Sequence, residues 1–309
     1  MKANRIHRFG PPEVIVFEEV EKPSPGAGEV LVAVKASGAG PWDGWIRAGT
    51  AKVDQSLPLT LGSDLSGLVE TVGPRVTDFA PGDEVFGITN ARFTEANAEY
   101  AVASVGMIAL KPRKLGFIEA ASMPVVAVTA WQMLFDHARL APGQTVLIHG
   151  AAGSVGAYAV QFARMVRARV IATASARDVD YVYGLDADEV IDFRASRFEE
   201  GLDPVDVVID LVGGDVQSRS LAVLKPGGSL VSAVSKPDAE EAKRRGVHAE
   251  FILVDVTTAA LTRIGAMVDA DEIVTSVGAV LPLAELRTAH EMMEGMRSRP
   301  RGKIVLKTG

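Results

Sequence analysis

The residues best suited to chemistry form a glycine-rich run behind a short apolar stretch. Val146-Leu-Ile-His leads into Gly150-Ala-Ala-Gly153-Ser-Val-Gly156, and a helix-forming segment, 157–167, follows. Strand, glycine turn and helix in this order are typical of a pyrophosphate site, because the first N–H groups of the helix are free to bind phosphate oxygens. Gly150 permits the tight turn, Gly153 lets the backbone approach the ligand, and Gly156 lets helix and strand pack closely. We predict that a dinucleotide binds to Gly150, Ala151, Gly153, Ser154, Val155 and Gly156.

The side chains after the next apolar stretch bear on which dinucleotide is bound. A carboxylate there binds the ribose 2′-hydroxyl of NAD and repels a 2′-phosphate. The chain reads Thr173-Ala-Ser175-Ala-Arg177, which offers a hydroxyl and a planar guanidinium instead. Because guanidinium suits phosphate, we predict NADPH, with Ser175 and Arg177 as contacts. The alternative is that Arg177 is a solvated loop residue and that Asp178 or Asp180 binds the ribose.

Two different patterns supply the elements that must position these residues. Up to about residue 120, short alternating segments at 29–35, 67–72 and 83–87 predict a β-rich barrel or sandwich. Beyond it, apolar runs separated by helix-length stretches predict βαβ units and a parallel sheet. The expected strands, which would complete a doubly wound sheet, are 145–149, 169–174, 189–192, 205–210, 229–234 and 250–254. A helix at 283–296 and a strand at 303–307 follow, so we expect the chain to return to its first domain.

Composition excludes several classes of protein. The chain has no cysteine, which removes disulfides, thiolate nucleophiles and every cysteine-containing zinc site. Its net charge is −7, and without a basic cluster we expect no nucleic-acid partner. No apolar segment approaches the roughly 18 residues of a membrane span, so we expect no membrane partner and a cytoplasmic location.

Ordered motifs along nearly the whole chain carry a family resemblance. They include Leu61-Gly-Ser-Asp64-Leu-Ser-Gly67, Pro81-Gly-Asp83-Glu-Val-Phe-Gly87, the glycine turn and Arg301-Gly-Lys303-Ile-Val-Leu. The chain resembles the zinc-independent medium-chain dehydrogenase/reductases, in particular the quinone oxidoreductase (zeta-crystallin-like) branch. This resemblance implies an α/β protein with a GroES-like β-rich catalytic domain, 1–121 completed by 264–309, and a Rossmann doubly wound parallel-sheet domain, 122–263. It also implies a homodimer and a nicotinamide in the cleft.

The same resemblance assigns further cofactor contacts. Thr129 matches the residue that contacts the nicotinamide end, and Val212, Val234 and Ile252 match residues that line the far half of the cofactor. Lys303, within its motif, is also predicted to contact the cofactor. For Thr129 the alternative is a helix N-cap after Pro124.

The chain departs from the family pattern at two places. Zinc-dependent relatives hold their metal with a Cys, the His of a Gly-His-Glu run and a further Cys, whereas this chain has Gly40-Pro41 and Gly62-Ser63-Asp64. Its histidines are scattered without ligand spacing, so we expect no metal. The second departure is that the family commonly has Asn in place of Gly40 and a smaller residue in place of Trp42. Trp42 and Trp45 are therefore predicted to narrow the cleft around a flat apolar substrate, with Trp45 in the core as the alternative.

The absence of zinc ligands favours reduction of a substrate over oxidation of a simple alcohol. Alcohol oxidation needs a group that lowers the pKa of the hydroxyl. A quinone or an α,β-unsaturated carbonyl accepts hydride at carbon while charge spreads onto oxygen, so binding, orientation and water as proton source suffice. We predict NADPH-dependent reduction of such a substrate, with Asp43 and Tyr100 as candidate catalytic residues; a structural role is the alternative for both. The alternative functions are a zinc-free carbonyl or alcohol dehydrogenase and a low-activity NADPH-binding sensor protein.

Overall fold

The computed structural model describes residues 1–51, 53 and 55–309. The chain divides into two compact units, 1–125 with 255–309, and 126–254. These boundaries differ from the predicted ones at 121/122 and 263/264. The return to the first unit comes earlier because the hydroxyl of Thr258 donates to the carbonyl oxygens of Val105 and Ile108, both at 2.7 Å.

The first unit is rich in β-strands, as predicted. Its elements up to residue 121 are β1 (Lys2–Ile6), β2 (Ile15–Glu19), β3 (Glu29–Ala39), α1 (Pro41–Ala48), β4 (Leu59–Thr60), β5 (Asp64–Val72), β6 (Glu84–Ile88), β7 (Tyr100–Ser104), β8 (Ile108–Leu110) and α2 (Phe117–Ala121). The first half of β3 is apolar from Val30 to Val34, and its alternate residues Val30, Val32 and Val34 pack into one core. This long strand pairs with both β5 and β7, so it organises the unit.

The second unit contains the predicted parallel sheet. Its elements are α3 (Pro124–Trp131), which begins at the end of the first unit, a π-helical segment (Gln132–His137), β9 (Thr145–Ile148), α4 (Ser154–Met165), β10 (Arg169–Ala174), α5 (Val179–Tyr183), β11 (Glu189–Asp192), β12 (Val205–Asp210), α6 (Gly214–Ser220), β13 (Leu224–Ser232), α7 (Ala239–Arg245) and β14 (His248–Phe251). The strand order β11-β10-β9-β12-β13-β14 is that of a Rossmann fold, with its switch point between β9 and β12. The six predicted strands are confirmed, although β13 begins five residues earlier than expected.

The chain then completes the first unit with α8 (Thr258–Asp269), β15 (Val277–Pro282), α9 (Leu286–Met293) and β16 (Lys303–Lys307). Strand β16 has the predicted bounds, the predicted helix at 283–296 starts with a 3-10 turn, Leu283–Glu285, and β15 was not predicted. Because β16 pairs antiparallel with β3, with Ile304 opposite Ala39, Lys303 lies near the end of β3 where α1 begins. Within the described part of the chain, no helix is long and apolar enough to cross a bilayer.

Candidate active site

The glycine turn joins β9 to α4 as the sequence predicts. Gly150 has φ 72°, in the left-handed region that favours glycine, and accepts a hydrogen bond at 3.0 Å from the N–H of Gly153. A Cβ on Gly156 would lie 2.3 Å from the oxygen of Gly150, so only glycine permits this approach. Gly153 caps α4 and is exposed, with Ser154 and Val155 half-buried behind it. This helix end therefore fits a pyrophosphate, since the first N–H groups of a helix have no partners within it.

Ala151 plays a different part in the same turn. It is fully buried, and its N–H donates to the carbonyl oxygen of Thr173 at 3.2 Å. The bond ties the turn to β10. Ala151 thus shapes the turn, whereas the solvent-accessible positions of the turn are Ala152 and Gly153.

At the tip of β10 a carboxylate stands beside both predicted phosphate contacts. The Ser175 hydroxyl donates to Oδ2 of Asp178 at 2.6 Å, and Nε of Arg177 lies 3.4 Å from the same oxygen. The Arg177 side chain is 85% exposed, whereas that of Asp178 is 13% exposed. An acidic group is therefore fixed where a 2′-phosphate would approach, with an extended cation next to it.

Asp210, at the carboxyl end of β12, organises the neighbouring loops, and the sequence analysis missed it. Its Oδ1 accepts from the N–H groups of Val212 at 3.0 Å and Gly213 at 2.8 Å. Its Oδ2 accepts at 2.8 Å from both Gln217 and Ser232. The only available signal was an acidic residue directly after the apolar run 207–209, at the edge where ligands of parallel sheets bind.

The remaining predicted contacts in this unit differ in exposure. Val212 and Val234 project from loops after β12 and β13 and are about half exposed, so they offer apolar surface beside the switch point. Ile252 and Thr129 are buried. Thr129 is the sixth residue of α3, so the alternative that it caps a helix is wrong.

In the first unit, three charged side chains form a buried cluster near the start of α1. Nζ of Lys303 donates to Oδ2 of Asp64 at 2.7 Å, and the N–H of Val125 donates to Oδ1 of Asp64 at 3.1 Å. Asp43 accepts at 2.7 Å from the N–H of Gly40, which fixes the first turn of α1, while its Oδ1 has no partner. Lys303, predicted to contact the cofactor, is thus engaged in an internal ion pair.

The cluster has two carboxylates but one ammonium, and only Asp64 bonds to it. The two carboxylates therefore differ in protonation. Burial, reinforced by Asp64, raises the pKa of Asp43 to about 7, although the bond from Gly40 and the charge of Lys303 oppose the shift. Burial also raises the pKa of Asp64, and its direct contact with Lys303 counters this. Asp64 therefore holds the cation, and Asp43 is the carboxylate that carries a proton near neutral pH.

The structure does not bring the two candidate catalytic residues together. Tyr100 pairs with Ala33 on β3, whereas Asp64, which belongs to the same cluster as Asp43, pairs with Gly38. Five residues of strand separate these positions by about 17 Å. Tyr100 instead lies under the ammonium of Lys22, 3.6 Å from the ring centroid, and Asp43 is fully buried.

The positions that match zinc ligands carry a different arrangement. Gly40 has no side chain, and the Ser63 hydroxyl accepts a hydrogen bond from Nε1 of Trp42 at 3.1 Å. Of the histidines, His149 bonds to Thr173 and Ser220, and His290 bonds to Arg47. Within residues 1–51, 53 and 55–309, no group of three or more His, Asp or Glu side chains is placed to hold a metal ion.

Comparisons with known proteins agree with this architecture. Residues 26–136 match the family model described as alcohol dehydrogenase GroES-like domain, and residues 185–306 match the one described as zinc-binding dehydrogenase. The quinone oxidoreductase of Lama guanicoe is 32% identical over 323 residues, covering 99% of this chain and 97% of that protein.

Solved structures show the same relationship. A quinone oxidoreductase from Coxiella burnetii has a TM-score of 0.93 and 35% identity over 99% of both chains. Escherichia coli quinone oxidoreductase, solved as a complex with NADPH, has a TM-score of 0.89 and 26% identity over 99% of this chain and 100% of that one.

A GroES-like unit, a six-stranded Rossmann sheet and a glycine turn at its switch point define a medium-chain dehydrogenase/reductase. Full-length similarity then narrows the class, and the chain belongs to the quinone oxidoreductase family. The protein is accordingly an oxidoreductase enzyme.

Proposed function

We propose that this protein uses NADPH, without zinc, to reduce a quinone or an α,β-unsaturated carbonyl compound. The observation that carries the proposal is the glycine turn, whose exposed Gly153 caps α4 while Asp210 orders the loop beside it. The names of the relatives support a quinone as acceptor, and the bound NADPH of the Escherichia coli protein supports the cofactor.

In this proposal the protein binds and orients, and the dinucleotide supplies hydride. The first turn of α4 holds the pyrophosphate, and Val212 and Val234 pack against the apolar parts of the cofactor. The acceptor carbon receives hydride, negative charge moves onto the conjugated oxygen, and a proton from water completes the reduction. Such an acceptor needs orientation more than a strong acid, which fits a unit in which the carboxylates of Asp43 and Asp64 are buried.

The preference for NADPH depends on two opposing residues. The exposed Arg177 guanidinium attracts a 2′-phosphate, and the Asp178 carboxylate beside it repels one while suiting a free ribose hydroxyl. We expect R177A to weaken NADPH binding by about 1.5–3 kcal/mol and to leave NADH unaffected. D178N, the matched isosteric change, should strengthen NADPH binding and weaken NADH binding. Equal losses for both dinucleotides in R177A would contradict the assignment.

Zinc independence follows from the chemistry of the donor set. Zinc sites need thiolate, imidazole or carboxylate ligands, and the matching positions offer no side chain at Gly40 and a hydrogen-bonded hydroxyl at Ser63. Elemental analysis of the purified protein should find less than stoichiometric zinc, and chelators should leave turnover unchanged. Activity lost to a chelator and restored by metal would overturn this part of the proposal.

The deciding experiment is steady-state NADPH oxidation with separate panels of quinones, enones and aldehydes. Turnover with quinones or enones is the expected result. Turnover with aldehydes alone would instead indicate a carbonyl or alcohol dehydrogenase, and tight NADPH binding without turnover of any panel would indicate a sensor protein.

The family resemblance also leads us to propose a homodimer with a cytoplasmic location and small molecules as partners. Light scattering coupled to size-exclusion chromatography tests the dimer, and cell fractionation tests the location. A monomer at micromolar concentration would contradict the dimer.

A further inference from the structure

The Trp42 ring occupies the space that a side chain at position 40 would fill. A Cβ built on Gly40 would lie 2.3 Å from Cη2, 2.4 Å from Cζ3 and 2.5 Å from Cζ2 of the Trp42 ring. Real Cβ atoms essentially never approach other atoms this closely, so no side chain at position 40 is compatible with the ring where it stands.

Backbone conformation does not account for this glycine. Gly40 has φ −136° and ψ 164°, an extended conformation that any residue adopts. The residue before a proline also favours such extended values, and Pro41 follows. What position 40 requires is therefore the absence of a side chain rather than the freedom of a glycine backbone.

Three contacts hold the Trp42 ring in place. Its N–H donates to the Ser63 hydroxyl at 3.1 Å, and Ser63 is fully buried. The Lys303 ammonium lies 4.3 Å from the ring centroid, and the ion pair with Asp64 fixes that ammonium. Its apolar carbons pack against the core that contains Ile46 and Ile304. Trp42 nevertheless remains partly exposed, so it is accessible from the surface while these contacts restrict its movement.

We propose that Trp42 is a specificity-determining residue that replaces the side chain at position 40 with an aromatic wall. Because a Cβ at position 40 would overlap the Trp42 ring, the two positions exchange one volume between them. The indole N–H is already engaged by Ser63, so the wall offers stacking surface and not a hydrogen bond to substrate. It favours flat aromatic conjugated carbonyls, such as fused-ring quinones, over small aliphatic enones. This inference rests on the proposed function.

A double-mutant cycle of G40A and W42A tests the exchange of volume by thermal unfolding. With Trp42 present, G40A should lower Tm because the ring must move. In the W42A background the same change should raise Tm, since alanine suits the extended backbone and restricts the unfolded chain. A reversal of sign supports the reciprocal pair. A loss of Tm of the same size in both backgrounds would refute it, without reference to activity.

Kinetics with NADPH test the specificity. W42A should lower the ratio of kcat/KM for 1,4-naphthoquinone to that for methyl vinyl ketone by about two- to tenfold, the range for one aromatic contact. NADPH affinity should be unchanged. F17A, which removes an exposed aromatic ring from β2 of the same unit, is the control and should change the ratio less. If the wild type reduces both substrates and W42A leaves the ratio unaltered, or F17A alters it equally, the inference is wrong and the proposed function stands. If the wild type reduces neither, the proposed function fails, and the specificity fails with it.

Discussion

Replacing Lys303 by methionine should strongly destabilise the first unit while leaving dinucleotide binding intact. The ammonium is 3% exposed and bonds at 2.7 Å to Asp64, which is fully buried. Removing one partner of a buried pair strands the other charge and costs about 3–5 kcal/mol. Methionine keeps the length of the side chain, so the loss measures charge more than packing. For a unit of this size we expect a fall in Tm of roughly 10 °C.

The stranded carboxylates give this prediction a pH dependence. Without the ammonium, the buried carboxylates of Asp64 and Asp43 become neutral by taking up a proton as the pH falls. The destabilisation by K303M should therefore be smaller at pH 5 than at pH 8. D64N added to K303M should restore most of the lost stability, because the buried carboxylate that had been bonded to the ammonium is then removed as well.

The assay is urea or thermal unfolding at several pH values with an NADPH titration of each variant. K225M is the matched control, because the ion pair of Lys225 and Asp206 has a similar length, 2.8 Å, and is partly exposed. It should cost about 0–1 kcal/mol. A loss below about 1 kcal/mol in K303M, or no recovery with D64N, would refute the reasoning. Weaker NADPH binding by folded K303M would instead support the predicted cofactor contact of Lys303.

Three further predictions concern the turn and the buried titratable groups. G153V should abolish NADPH binding while the protein stays folded, because a branched side chain would fill the phosphate cradle, and Tm should fall only moderately, since the position is exposed although a Cβ would lie 3.2 Å from the Gly150 oxygen; near-native affinity would contradict this role. The pKa of Asp43 is raised to about 7, so wild-type stability falls as pH rises from about 4 to 7 and then levels off, and D43N should gain about 3 kcal/mol relative to wild type between pH 5 and pH 9, most of it below pH 7; a constant difference in unfolding free energy would count against it. Burial lowers the pKa of His149 to about 4 and that of His290 to about 3. Because the unfolded chain takes up protons on these histidines first, the free energy of unfolding decreases as pH falls from 6.5 towards 4. H290Q should therefore show a shallower fall in Tm than wild type over that range.

Much of the fold could be predicted because its signals are local. The central strands of the parallel sheet, β9, β10 and β12, are short apolar runs between helix-length stretches, and they kept their predicted bounds within a residue. Strand β15 lacked such a signal, because Gly278 and Pro282 interrupt it and it is an edge strand, where proline is tolerated. The early start of β13 was missed because Pro226-Gly-Gly228 is typical of a turn, yet the strand passes through it beside an irregularity in its register with β12.

The residues of the site could likewise be predicted only where their sequence signals are local. The glycine turn is contiguous, so its spacing indicated its geometry. Asp64 and Lys303 lie 239 residues apart, and nothing local indicates that they meet. The sequence offered Asp178 only as an alternative ribose ligand, and only the structure shows that the Ser175 hydroxyl donates to it. Trp45, for which a core position was the alternative, is 49% exposed, which rules that alternative out.

The charge arrangement of the first unit bears on which substrates the enzyme accepts. Asp64 is paired to Lys303, and Asp43, with its pKa raised to about 7, is only partly ionised at neutral pH, so the cluster carries little net charge. Its one cation is buried against the Trp42 ring, so an anionic substrate would find no exposed partner in this cluster. An uncharged conjugated carbonyl loses little hydration on meeting such a surface and gains contact with the ring. The electrostatics of the cluster and the volume exchanged between positions 40 and 42 are therefore both compatible with the acceptor proposed above, an uncharged aromatic quinone.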